Sequence, residues 1–257
     1  MKRAILIGLV VVLVAVGGYC GWRYYNDVYV PNKQVTDADK TQRELFESIK
    51  PEDAASDLSA DDDPEGVTDS AVATLRSQND DAVGWLTIDG TVIDYPIVQT
   101  TDNTFYLENG FDGTYNYGLG CPFLDFRCQS DFKGFNSIVY AHHILGYQAM
   151  FSDITNYKDP DFMKQYPNGT LRTKSGAHQV RFFAYMIIPN PSFAYQTEFT
   201  SQAQKDAYID EIYQSAEYPP VLKADDLKSN TELHLLLLST CTYEYWQARG
   251  VLAGVIE

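Results

Sequence analysis

Positive charge is scarce in this chain. Its 257 residues hold 19 Lys and Arg against 35 Asp and Glu, a formal net charge of -16. Attraction to nucleic acid phosphates is opposed over most of such a surface, which excludes a nucleic-acid role. Cysteine is scarce too: four are too few for a disulfide-built scaffold, and none stand in the close pairs of a zinc ribbon. Internal repeats are absent. What remains is a chain long enough for one sizeable domain with appendages, or two small ones, with a real core.

Long uncharged apolar sequence is confined to one place, "AILIGLVVVLVAVGGYCGW" from Ala4 to Trp22. As a helix it spans about 28 Å, close to the hydrocarbon thickness of a bilayer. Lys2 and Arg3 precede it and an acid-rich segment follows, so the positive-inside tendency puts the N-terminus in the cytoplasm and the remainder outside. A cleaved signal peptide, cut near Ala15-Val16-Gly17, is the competing reading. The run exceeds the roughly 7 to 15 residues of a signal core and favours an uncleaved anchor over residues 1–23. Cys20 has no lipoprotein-type residues before it and reads as a membrane-edge residue.

Residues 24–80 read as a helical and acidic linker. Leu45, Phe46 and Ile49 form a short apolar stripe that Pro51 stops, a modest helix. Residues 52 to 69 carry eight acids and no base, the composition of a solvated, self-repelling linker. They lack the glycine-centred spacing of a calcium loop.

From about Asp81 to the end at residue 257 the texture is that of short strands. "VGWLTIDGTVIDYPIV" predicts two strands joined at a tight Asp89-Gly90 turn. "GCPFLDF", "NSIVYAH", "GTLRTK", "HQVRFFAYMII", "LHLLLLST" and "GVLAGVIE" bring the total to eight, which suggests a mostly β fold closed into a barrel. Two helical insertions interrupt it. One lies around residues 150 to 166, with Asp159-Pro160 as cap and first-turn proline. The other, 201 to 217, opens with a Ser201-x-x-Gln204 capping box, carries Tyr208, Ile212 and Ala216 on one face and ends before Pro219-Pro220.

The stretch "LLLLSTCTYEYWQARG" carries the chemistry. A cysteine at the end of a strand is positioned by the strand's ladder yet open to solvent at a barrel rim, which suits a nucleophile. A free thiol is mostly protonated at neutral pH, so it needs a partner. Of the four histidines, His178 and His234 sit at strand starts, whereas His142 and His143 follow "IVYA" into a loop. Arg249 begins the final strand. If residues 242 to 248 join neighbouring strands, its guanidinium returns to the rim of Cys241 and offers donors to a developing oxyanion. Singly, each has a plain structural explanation: a buried small apolar thiol, a solvated edge arginine.

Together these residues resemble the sortase family of cysteine transpeptidases, whose signature is a TLxTC-like strand end. The resemblance covers nearly the whole chain: anchor, helical and polar spacer, and an eight-stranded barrel. It is most similar to class B, through the N-terminal helix, the helix between the sixth and seventh strands, and the Met-Phe pair in "HHILGYQAMFSDI". "GTVIDYPIVQTTDNTFYL" and "GLGCPFLDF" are similar to the family's early strands. The resemblance implies a closed barrel with an N-terminal helix and helical insertions. Cys241 would be the nucleophile, His142 the general acid/base and Arg249 the carbonyl or oxyanion stabiliser, with Tyr140 and Ser239 lining the substrate groove. The family's glycine before the histidine is Ala141 here, its frequent asparagine after it is His143, and no aspartate follows Cys241. Two imidazoles therefore stand in the His loop.

The implied reaction is acyl transfer in two steps. Cys241 would attack the Thr carbonyl of a C-terminal sorting motif in a secreted protein, and an amine of a peptidoglycan precursor or a pilin would resolve the thioester. The enzyme would be a single-pass membrane protein with its catalytic part outside the cell. No cofactor and no metal is expected. The partly strand-like segment between Cys121 and Cys128 favours two free thiols over a bridge, and their spacing from His142 and His143 matches no zinc pattern. Two alternatives stand beside this reading. A hydrolytic cysteine protease of papain type would place Cys before His, the reverse of the order here. A membrane-tethered barrel acting only as a binding module would make Cys241 structural.

Overall fold

The computed structural model describes residues 2–51, 70–144 and 147–257. The acidic run expected as a linker, 52–69, lies outside them, as do residues 145 and 146 of the His loop.

Helix α1 (Lys2–Tyr24) passes through a π-helical turn (Tyr25–Tyr29) into α2 (Val30–Ile49). Among the described residues no helix is long and apolar enough to cross a membrane, so the fold does not establish the spanning role expected of residues 1–23. Helix α2 occupies the place of the modest helix expected before Pro51 but is much longer. The reason lies in its buried face, which is Asp39, Gln42, Phe46 and Ile49: the first half of that stripe is polar, so apolar periodicity begins only near Leu45. Gln42 donates to the Gly120 carbonyl at 3.2 Å and accepts from Asn116 at 2.9 Å. Arg43 and Tyr147 both donate to Asp39, at 2.7 and 3.0 Å. A face satisfied in this way is buried without being hydrophobic.

After α3 (Ser70–Gln78), eight strands among the described residues close into a barrel. They are β1 (Ala82–Thr87), β2 (Asp94–Val98), β3 (Phe123–Leu124), β4 (Asn136–Tyr140), β5 (Asn168–Thr173), β6 (Gly176–Ile188), β7 (His234–Cys241) and β8 (Arg249–Ile256). Their order around the barrel is β1-β2-β3-β4-β7-β8-β6-β5. Each arises from one of the eight expected segments. The β1–β2 turn is wider than a two-residue hairpin: the Ile88 N–H donates to the Ile93 carbonyl at 2.8 Å and Asp89 to Val92 form the loop, with Gly90 at φ +79°.

Short helices fill the connections. The β2–β3 connection holds α4 (Phe105–Glu108), and a 3-10 turn (Ser152–Lys158) leads into α5 (Pro160–Gln165). The Asp159 carboxylate caps α5 by accepting from the Asp161 N–H, as expected. Between β6 and β7 lie α6 (Gln202–Ser215), capped by Ser201, and α7 (Ala224–Ser229). Helix α6 buries Tyr208, Ile209 and Ile212. It stops one residue short of Ala216, which instead bridges to Met186.

Strand β7 shows why four leucines follow one another. Leu236 and Leu238 join a cluster containing Leu86, Leu171, Phe182 and Leu252, supplied by strands from around the barrel. Leu235 and Leu237 face the other way, into a cluster where α6 contributes Ile209 and Ile212. A strand covered on both faces has no polar alternation to display.

Cys121 and Cys128 are both free. Burial pushes the Cys121 thiol well above its usual range and the Cys128 thiol up to about 11.

Two predictions follow from this packing. Leu236→Ala and Leu237→Ala point to opposite faces, yet each should cost about 2–5 kcal/mol, measured by urea unfolding; a negligible loss at Leu237 would mean that α6 does not cover that face. Maleimide at pH 8 should leave Cys121 and Cys128 unmodified in the folded chain and label both after denaturation, read by peptide mass mapping, because about one Cys128 in a thousand is then thiolate.

Candidate active site

The site begins with strand direction. Strands β4 and β7 run parallel, with Tyr140 opposite Ser239. Pairing continues past the last rung: the Ala141 N–H donates to the Ser239 carbonyl at 3.2 Å, and the Thr240 hydroxyl donates to the Ala141 carbonyl at 2.8 Å. Both strands therefore leave the sheet at one rim, carrying His142 and Cys241. Strand β8 is antiparallel to β7 and starts where β7 ends, with Cys241 opposite Arg249.

At this rim opens a cavity of about 240 Å³ lined by Tyr140, His142, Ser239, Cys241 and Arg249. All five residues picked out in the sequence thus share one cavity. A larger one, about 350 Å³, lies between α2 and residues 110–117 and holds neither cysteine nor histidine, so size alone does not choose the site.

The two neighbouring histidines are placed differently. Nε2 of His142 lies 2.8 Å from the Leu107 carbonyl. A carbonyl only accepts, so this nitrogen carries the proton and Nδ1 is the basic atom of the neutral ring. His143 is outside the cavity lining. Its Nδ1 lies 3.2 Å from the backbone carbonyl of Cys241, its ring meets that of Tyr243 edge-on at 5.4 Å, and its own carbonyl accepts from the Tyr243 hydroxyl.

Cys241 is a free, half-exposed thiol. The Arg249 guanidinium donates to the carbonyl of Ala248 at 3.1 Å and keeps most of its donors for other groups. The Ser239 hydroxyl, nearly buried, is 3.1 Å from that of Tyr195. Burial raises the Tyr195 phenol above its usual range, against the opposing pull of the Ser239 bond and nearby Arg249. Tyr140 turns its hydroxyl away from the opening, toward Asp125 at 2.9 Å. The aromatic-rich turn between Cys241 and Arg249 closes through the Thr242 N–H to the Ala248 carbonyl at 3.2 Å, and leaves Trp246 89% exposed.

Sequence reasoning did not single out Leu107, Phe123 or Tyr195, which also line the cavity. Leu107 contributes to His142 only through its carbonyl, for which no side-chain signal exists. Tyr195 sits in the long β6–β7 connection, past the cis peptide between Asn190 and Pro191, far in sequence from His142, Cys241 and Arg249. Among the described residues no group of three or more His, Cys, Asp or Glu is arranged to hold a metal ion.

No family model matches the chain. Sortase B of Listeria monocytogenes is 28% identical over 258 residues, covering 99% of this chain and 98% of its own. A solved structure of sortase B from Listeria monocytogenes is 30% identical, with a TM-score of 0.62 over 70% of this chain and 97% of that one. A Streptococcus pyogenes class B sortase described as involved in pilus biogenesis is 29% identical, with a TM-score of 0.62 over 72% and 97% of the two chains. The eight-stranded barrel whose rim gathers a thiol, an imidazole and a guanidinium thus has close counterparts in sequence and in structure, and this chain belongs to the class B sortases, a family of cysteine transpeptidases.

Proposed function

We propose that Cys241 is the nucleophile of this transpeptidase, that His142 moves the protons and that Arg249 stabilises the carbonyl oxygen under attack. The observation that supports this most directly is the single cavity shared by all three side chains. In the first step the Cys241 sulfur attacks the Thr carbonyl of a sorting motif in a secreted protein. The thiol proton goes to Nδ1 of His142, the basic atom left by the Leu107 bond. His142 then returns a proton to the departing amine, and a thioester remains. An amine of a cell-wall precursor or a pilin attacks the thioester and restores the thiol. Arg249 never loses its charge, so it serves the oxyanion of both steps.

Tyr140 and Ser239 are read as walls of the acyl-donor groove. Their hydroxyls are bonded to Asp125 and Tyr195, so they meet the peptide through ring face and backbone more than through free donors. Residues 1–23 are read as a single-pass anchor that holds the barrel, residues 81–257, outside the cell, with residues 24–80 as spacer. The charge-free run from Ala4 to Trp22 behind Lys2 and Arg3 supports this.

The chain is tested with peptides of LPxTG-like and NPxTN-like pattern plus an amine, with products and protein followed by mass spectrometry. A thioester should appear on Cys241, and Cys241→Ala should abolish turnover; turnover equal to the parent would sink the assignment. His142→Ala should lower kcat by about 10²–10⁴-fold. His143→Ala should lower it by roughly tenfold or less, the worth of one neutral hydrogen bond. The opposite ranking would transfer the acid/base role to His143. Arg249→Lys should not restore the activity lost in Arg249→Ala, about 10²–10³-fold, because an ammonium lacks the fork of donors.

A further inference from the structure

Asp125 follows β3 directly, and its residue is fully buried. An isolated carboxylate there would be costly, so its partners matter. Arg127, two residues on, grips it with both ends of its guanidinium: Nε to Oδ1 at 2.9 Å and Nη2 to Oδ2 at 2.6 Å. The Arg127 N–H adds a third bond to Oδ1 at 3.0 Å. These three are local and keep the carboxylate ionised. Burial alone would push its carboxyl up, but the Arg127 and Tyr140 bonds bring it below the usual range.

The fourth bond leads elsewhere. The Tyr140 hydroxyl donates to Oδ2 of Asp125 at 2.9 Å. Burial, followed by the negative charge of Asp125, lifts this phenol far above its usual range, so it stays a donor. The Tyr140 ring is packed between Phe123, with centroids 5.4 Å apart, and Tyr195, at 5.9 Å. All three rings line the cavity that holds Cys241. At the far end of this row the Tyr195 hydroxyl meets Ser239. The row is pinned by hydrogen bonds at its middle ring and at one end, with the charged one on the middle ring, from Asp125.

We infer that Asp125 is a positioning residue that acts through Tyr140, fixing the aromatic wall of the acyl-donor groove and so setting peptide affinity, not the rate of bond breaking. This rests on the reading of that cavity as the peptide groove. Asp125 does not line the cavity, so its influence on the peptide passes through the ring it holds. The negative charge is needed because a charge-assisted bond is stronger and more directional than a neutral one.

The test uses Asp125→Asn and Tyr140→Phe, singly and together, in the full chain with the peptides above. Asp125→Asn removes the charge at constant shape. Tyr140→Phe removes only the hydroxyl and leaves the Asp125–Arg127 pair intact. Each should raise KM by about three- to tenfold with kcat within about twofold, and the double variant should be no worse than the worse single one, since both cut the same bond. Asp125→Glu, which retains the charge, should recover part of the loss. An unchanged KM in Tyr140→Phe, or KM effects that multiply in the double variant, would overturn the proposal. So would a fall in kcat at constant KM. Should Asp125→Asn be unfolded at the assay temperature, as read by its thermal transition, Tyr140→Phe decides the matter alone. Turnover by Cys241→Ala would remove the groove reading and the proposal with it. An inactive Cys241→Ala together with unmoved KM values would remove this proposal alone.

Discussion

Strand β7 is clamped between a parallel partner and an antiparallel one, and the candidate active site depends on that arrangement. A parallel neighbour delivers two strand ends to one rim, and an antiparallel neighbour delivers an end and a beginning. His142, Cys241 and Arg249 are drawn together from the edges of two connections in this way, although about a hundred residues separate the first two. Register matters as much as direction. Side chains alternate across a sheet, so a slip of one residue between β4 and β7 would carry Ser239 and Cys241 to the face now occupied by Thr240.

The run of leucines makes that register harder to specify. In a half-buried strand a slip exposes apolar side chains and is penalised by water, but Leu235 to Leu238 are buried on both faces and would be buried after a slip as well. Two other devices hold the alignment. The polar end of β7 is tied down atom by atom: Thr240 donates to Ala141, and Ser239 meets Tyr195. Shape does the remainder. A Cβ on Gly250 would lie 2.5 Å from the Tyr185 hydroxyl, and one on Gly254 would lie 2.7 Å from Cγ1 of Val180. Strand β8 therefore fits β6 at those glycines and nowhere else without rebuilding, and β7 takes its register from β8.

Much of this was legible beforehand, for reasons that can be named. Strands announce themselves by apolar runs and β-branched residues, and all eight segments are found; helix starts announce themselves by caps, as at Asp159 and Ser201. The extent of α2 was hidden because half of its buried face is polar and satisfied by the 110–120 segment and Tyr147. Helices α4 and α7, at four and six residues, are too short to show a period. The cavity's chemistry-bearing side chains could be chosen by type and by their place at strand ends. Of its walls, Tyr140 and Ser239 were named through the family resemblance, and the others were not. Tyr195 reaches them from a long connection, and the carbonyl of Leu107 has no residue signature at all.

The pair His142-His143 shows where sequence type stops being informative and geometry takes over. Both are imidazoles beside one loop, and both donate to a backbone carbonyl, yet they use opposite nitrogens: Nε2 in His142 and Nδ1 in His143. His142 is oriented from the β2–β3 side by Leu107, lines the same cavity as Cys241, and has Nδ1 as its basic atom. Protonation there leaves the Leu107 bond intact, because that bond uses the other nitrogen. His143 spends its Nδ1 proton on the carbonyl of Cys241 itself, so its influence is on where the sulfur is held. A ring bonded to the carbonyl of Cys241 cannot turn to accept that residue's proton without releasing its backbone, and this geometry supports the proposed choice of His142 over His143 for proton transfer.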